Sequence, residues 1–127
     1  GGYVNSKTRE AEANREAARQ QLEAARRNAA QAARQSYLGV SSGIAQVSAL
    51  RAALVSGLSS VESNKLGYEV GVRINIDVLN AEQQVYVTRR DLAKAVHDTL
   101  LSQLKLKAAV GTLDETDLAK INALLQQ

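Results

Sequence analysis

The 127-residue sequence contains no cysteine, proline, methionine, tryptophan or phenylalanine. Without cysteine there is neither a disulfide framework nor a thiolate metal site. Without proline nothing in the chain forces a helix to stop. The aromatics are four tyrosines, so the usual bulky filler of a rounded core is missing, and the apolar material is mostly Ala, Leu and Val. That mixture reads as long helices in narrow contact. No uninterrupted apolar run approaches the roughly 18 residues of a membrane-spanning helix, so none is expected. No signal peptide is visible, and a chain that begins at glycine and lacks methionine reads as a piece of a longer protein. Catalytic groups are equally scarce. His97 is the single histidine and reads as a surface or seam residue. No His/Asp/Glu cluster has metal-ligand spacing. Gly67-x-x-x-Gly71 lacks the Lys and Ser/Thr of a phosphate loop. Serines are frequent from Ser36 to Ser63, but none has an identifiable base. An enzyme, a cofactor and a bound metal are therefore not expected.

The formal charge is +3, and the basic excess lies in residues 1–36. There Arg15, Arg19, Arg26, Arg27 and Arg34 mix with Glu12, Glu16 and Glu23. Spacings of three and four, as in Glu12–Glu16–Arg19 and Glu23–Arg27, support a solvated helix. No aromatic platform or recognition motif accompanies the arginines, so nucleic acid is not expected as a partner.

Helical periodicity runs from residue 6 to about 64, with Asn5 or Ser6 able to cap it. From Tyr37 onward, Val40, Val47, Leu54 and Val61 recur at seven-residue intervals. Tyr37, Ile44 and Leu58 form the companion register, and together the two predict an a/d coiled-coil seam. Leu22, Ala25, Ala29, Ala32 and Ala33 continue it upstream. Such a helix would be roughly 90 Å long. The pattern stops at residues 65–74, where Gly67 and Gly71 turn the chain. Asn75 is the expected N-cap of a second helix over 75–110, with Asp77 in its first turn. Its apolar face is read through Val78, Val85, Leu92, Val96, Leu100, Gln103/Leu104 and Lys107/Ala108. Gly111 is expected to end it, before a short third helix over about 115–126 carrying Leu118, Ile121 and Leu125 on one face. The fold class is all-α, a long antiparallel coiled-coil hairpin with unequal arms. Two helices bury little area for their length, so further helices from missing chain or other subunits are expected. Around the turn lie Tyr68, Glu69, Arg73, Asp77 and Asn80, which residue chemistry alone reads as a solvated, ordinarily capped tip.

The segment from Gly67 to Ala81, Gly-Tyr-Glu-Val-Gly-Val-Arg-Ile-Asn-Ile-Asp-Val-Leu-Asn-Ala, resembles the periplasmic turn of TolC-like outer-membrane channel proteins. Gly1-Gly2-Tyr3-Val4-Asn5-Ser6 is similar to that family's exit from its last membrane strand into a long helix. The run from Leu101 to Leu113 is similar to the end of its returning helix. The match runs without a gap across nearly the whole chain, and three separate motifs in the right order make it specific.

The resemblance implies the helical hairpin of the second repeat of a homotrimer, a fragment of a periplasmic α-helical barrel in Gram-negative bacteria. Membrane contact would come only through a β-barrel outside this chain. The partners it implies are a periplasmic adaptor and an inner-membrane transporter, working in drug efflux or type I protein secretion. Tyr68 and Arg73 match residues that tie neighbouring hairpins together and close the mouth. Asp77 matches an acidic ring at the constriction. Asn80 stands at that ring's second position, where the best-known members carry aspartate, so one negative charge per subunit is absent. Val70, Gly71 and Val72 match the adaptor-docking tip, where a small Gly71 would let a partner approach the backbone. The other class considered is a free-standing coiled-coil module such as an adaptor hairpin. That would be flanked on both sides by a lipoyl-like β-domain, which the Gly-Gly-Tyr-Val-Asn-Ser opening and the third helix argue against.

Overall fold

A computed structural model describes the backbone of residues 1–125 and the side chains of residues 1–115. Two α-helices account for nearly all of it: α1, Gly2–Glu69, and α2, Asn75–Leu125. Among the described residues there is no strand. The chain divides into two units, one of Gly1–Ser36 with the chain from Leu104 onward, the other Tyr37–Gln103.

The second unit is an antiparallel helical hairpin joined by the short turn from Val70 to Ile74. On α1 its covered positions are Val40, Gly43, Val47, Leu50, Leu54, Gly57, Val61, Asn64 and Gly67. On α2 they include Val78, Ala81, Val85, Thr88, Leu92, Ala95, Thr99 and Ser102. Steps of three and four alternate along α2, and along α1 as far as Asn64, which is the seam of a coiled coil. The register through Val40, Val47, Leu54 and Val61 is as expected, and so is the one through Val78, Val85 and Leu92.

The companion register is corrected by one residue. Tyr37, Ile44 and Leu58 are 63%, 57% and 42% exposed, while Gly43, Leu50 and Gly57 face the seam. Choosing the bulky residues misses the geometry, because the glycines let the helices approach. A Cβ on Gly43 would overlap the Thr99 hydroxyl, and one on Gly39 would lie 2.7 Å from the Ser102 hydroxyl. On α2 the same correction follows Leu92. The seam continues through Ala95, Thr99 and Ser102, whereas Leu100 and Leu104 are 54% and 64% exposed. Thr88 and Thr99 satisfy their buried hydroxyls within α2, donating to the Gln84 and Ala95 carbonyls at 2.9 and 2.7 Å.

In the first unit Ala29, Ser36 and Ala109 are buried, and Leu22, Ala33, Leu106 and Leu113 are half-buried. Ala25 and Ala32, assigned to the seam from the sequence, are exposed. The Glu16–Arg19 pair forms: the Arg19 Nε and Nη2 donate to the two Glu16 carboxylate oxygens at 3.1 and 2.9 Å. These bonds, with one from Gln20, hold the Glu16 carboxyl below its ordinary pKa.

Three boundaries differ from expectation. Helix α1 starts at Gly2, so neither Asn5 nor Ser6 caps it; the Asn5 amide already donates to the Gly1 carbonyl at 3.3 Å. It continues to Glu69 rather than ending near residue 64. Helix α2 runs through Gly111 to Leu125 without a break. A single interior glycine costs only about 1 kcal/mol relative to alanine and no proline follows it, so propagation wins. The proposed third helix is therefore the end of α2; the side chains of Leu118, Ile121 and Leu125 lie outside those described. A further correction concerns membranes. By length and average composition alone, α1 is long and apolar enough to cross one. Ser and Gly residues, with Gln46 and Arg51, break the uninterrupted run within it.

Candidate functional site

The turn between α1 and α2 is built by two glycines with different tasks. Gly71 has φ of +82°, a left-handed conformation in which a side chain is strained. The Val72 amide donates to the Gly67 carbonyl at 2.9 Å and the Gly71 amide to the Tyr68 carbonyl at 3.2 Å. This pair of bonds, closing on a left-handed glycine, is a Schellman C-cap. Gly67, by contrast, is helical and buried. Its missing Cβ leaves room for the stem of Arg73: an added Cβ would lie 2.5 Å from Arg73 Cγ and 3.3 Å from Arg73 Cβ. Around Gly71 an added Cβ would meet nothing within 4 Å. Conformation rather than space fixes that glycine, and its backbone is open to an approaching partner.

The start of α2 is capped differently from expectation. Ile74 precedes the first helical residue, Asn75, and occupies the N-cap position. The Asp77 carboxylate reaches back to accept the Ile74 amide at 3.2 Å, and the Asp77 amide donates to the Ile74 carbonyl at 3.1 Å. This is the returning half of a capping box. Asn75 is not the cap, because the acidic side chain three residues past Ile74 takes that work. Asp77 also lies where the helix dipole favours negative charge.

The other singled-out residues stand at the surface. Tyr68 is 53% exposed, and Arg73 and Asn80 are exposed. Among the described residues neither Tyr68 nor Arg73 makes a side-chain hydrogen bond or ion pair, so Arg73 and Asp77 do not form a local pair. Behind the tip Lys65 and Glu82 bridge the helices at 3.5 Å. His97 is a surface residue beside Asp98.

An apolar cluster at the tip was not read from the sequence as a unit. Val70 and Val72 are joined there by Leu66, Ile74, Ile76 and Leu79, each at least half exposed. The signal was available in the density of Val, Ile and Leu between residues 66 and 79, in a segment with too few residues to bury them. An exposed apolar tip, with Tyr68, Glu69 and Arg73 exposed in the same segment, offers a surface for contact.

Comparison with known proteins places this turn in context. The profile of the outer membrane efflux protein family matches residues 1–112. The outer membrane protein TolC of Escherichia coli is 39% identical over 127 residues, all of this chain. TolC of Vibrio cholerae is 36% identical over 126 residues, 99% of the chain. The alkaline protease secretion protein AprF of Pseudomonas aeruginosa is 32% identical over 123 residues, 97% of the chain. The chain spans 26%, 29% and 26% of the lengths of these three relatives. With a family profile covering most of its length, the chain belongs to the outer membrane efflux protein family.

Proposed function

We propose that this chain is the periplasmic helical hairpin of the second repeat of a homotrimeric outer-membrane channel serving drug efflux or type I protein secretion. The observation that carries this reading is the set of bulky apolar side chains left outside the hairpin's own seam. In the seam between α1 and α2, Gly43, Gly57, Ala95 and Thr99 alternate with Val and Leu. Tyr37, Ile44, Val55 and Leu58 on α1, and Tyr86, Leu100 and Leu104 on α2, stay 42–69% exposed. A free-standing coiled-coil module would bury its largest apolar groups in its own seam. A wall element of a helical barrel needs them at its flanks, where the next hairpin packs. The family match favours the same choice over an adaptor hairpin.

At the tip, Val70, Gly71 and Val72 form the docking point for a periplasmic adaptor, which links the channel to an inner-membrane transporter. Tyr68 and Arg73, which make no side-chain hydrogen bond or ion pair among the described residues, bind neighbouring hairpins to hold the mouth closed. Asp77, repeated in three subunits, supplies a ring of carboxylates that attracts cations. The neutral Asn80 adds no charge to it. The protein passes cargo and performs no chemistry on it.

The flank assignment is tested in the full-length channel by a cysteine at Leu58, a position with no cysteine background from this chain. In assembled channels a water-soluble maleimide should label Leu58→Cys far more slowly than Thr8→Cys on an exposed turn of α1. Equal labelling rates would refute burial of that flank. For the tip, Val70→Glu with Val72→Glu should abolish adaptor co-purification and export at unchanged channel abundance; retained export would remove the docking assignment.

A further inference from the structure

We propose that Gly67 is a positioning residue for Arg73, a role that rests on the reading of Arg73 as a mouth residue. Helix propensity alone disfavours glycine in the last turn of α1, and Gly67 needs no unusual backbone angle, since among the described residues the one positive φ is at Gly71. Its side-chain vacancy is occupied instead. The Arg73 stem, Cβ and Cγ, lies against the Gly67 backbone where a methyl group would stand, and Val72 Cγ2 closes the same space at 3.5 Å. The Gly67 carbonyl simultaneously accepts the amides of Val72 at 2.9 Å and Arg73 at 3.0 Å. One residue thus fixes both the backbone and the first two side-chain carbons of Arg73. The clash would fall on the base of the arginine, which cannot swing aside as its guanidinium can without turning the whole side chain. The exit direction of the guanidinium from the tip is therefore set from α1.

The test uses the full-length trimer and four proteins: wild type, Gly67→Ala, Arg73→Ala and the double variant, with Gly111→Ala as a helical glycine whose added methyl meets nothing. Amide hydrogen exchange over residues 66–74 reads the positioning directly. Gly67→Ala should accelerate exchange there several-fold while Arg73 is present and much less in the Arg73→Ala background. Closed-state conductance in planar bilayers reads the consequence. Gly67→Ala should raise it toward the Arg73→Ala level, the double variant should add nothing, and Gly111→Ala should match wild type. Equal acceleration in both backgrounds would overturn the positioning role. So would wild-type conductance in Gly67→Ala beside raised conductance in Arg73→Ala. If Arg73→Ala itself leaves conductance unchanged, the mouth reading fails, and exchange coupling between positions 67 and 73 then decides the positioning role alone.

Discussion

Substituting alanine for glycine in a helix normally stabilises it by about 1 kcal/mol, and the seam of this hairpin should reverse that sign at Gly43. The new methyl would overlap the Thr99 hydroxyl and sit 3.1 and 3.2 Å from Thr99 Cβ and Cγ2. Thr99 cannot yield easily. It is 9% exposed, and its hydroxyl is committed to the Ala95 carbonyl at 2.7 Å. Overpacking of this kind costs about 1–3 kcal/mol, so Gly43→Ala should destabilise the hairpin by roughly 1 kcal/mol once the propensity gain is deducted. Two other glycines calibrate the scale. Gly111→Ala meets nothing within 4 Å and should stabilise by about the full propensity gain. Gly57→Ala meets only Val85 Cγ2, at 3.2 Å, and should fall between the two. In a Thr99→Ala background the hydroxyl and Cγ2 are gone and only the Cβ, 3.1 Å away, remains, so Gly43→Ala should cost little or nothing, a coupling of about 1 kcal/mol. Amide exchange over the flanking peptides of the full-length protein measures each local opening free energy. If Gly43→Ala stabilises as much as Gly111→Ala, or costs the same with and without Thr99, the helices do not approach at this point and the corrected register is wrong.

Gly71→Ala forces a Cβ into the left-handed region and should loosen the C-cap by about 1 kcal/mol, with Gly71→Asn costing less; exchange at the Val72 amide reports it. Asp77→Ala removes the acceptor of the Ile74 amide and should fray the first turn of α2 by about 1 kcal/mol, visible as faster exchange over residues 74–78, with partial retention in Asp77→Asn. Glu16 has a folded-state pKa lowered first by the hydrogen bond from Arg19 and then by that from Gln20. Its contribution is complete above the ordinary carboxylate value and disappears as pH falls through the lowered one. Local exchange corrected for intrinsic pH dependence should therefore quicken on acidification, less so in high salt and less so in Arg19→Gln, where the Gln20 bond remains.

Sequence reasoning located the two arms, the turn and the family pattern, because these depend on where glycine clusters and on seven-residue repetition. It erred where it ranked seam candidates by size. Ile44 and Leu58 are better hydrophobes than Gly43 and Gly57, yet seam membership depends on how closely the backbones approach, and the bulky residues stay exposed. The same bias drew the second arm toward Leu100 instead of Thr99, whose buried hydroxyl is satisfied by a carbonyl one turn back. Gly111 looked like a stop because glycine often follows helix ends, but a lone glycine is too weak to end α2. At the tip Gly71 was legible from its motif, whereas the contact between Gly67 and Arg73 required knowing how the chain returns. Asp77 could have been read as the reaching partner of Ile74 from its spacing, but Asn75 carried the more familiar capping chemistry.

The turn also offers the pairing of the two helices a place to begin. Gly67 and Arg73 meet across only six positions, and Gly57 with Val85, Gly43 with Thr99 and Gly39 with Ser102 follow at increasing separation. Each contact, once made, shortens the free loop that the next must close, so no step bears the full entropy of joining distant segments. Pairing that spreads outward from the Schellman cap thus proceeds as a zipper with a single costly nucleus. In such a mechanism damage at Gly71 slows formation of the hairpin, while damage at Gly39 and Ser102 mainly speeds its opening. Stopped-flow refolding would separate the two, and an equal slowing by both classes of substitution would show that the helices collapse along their length at once.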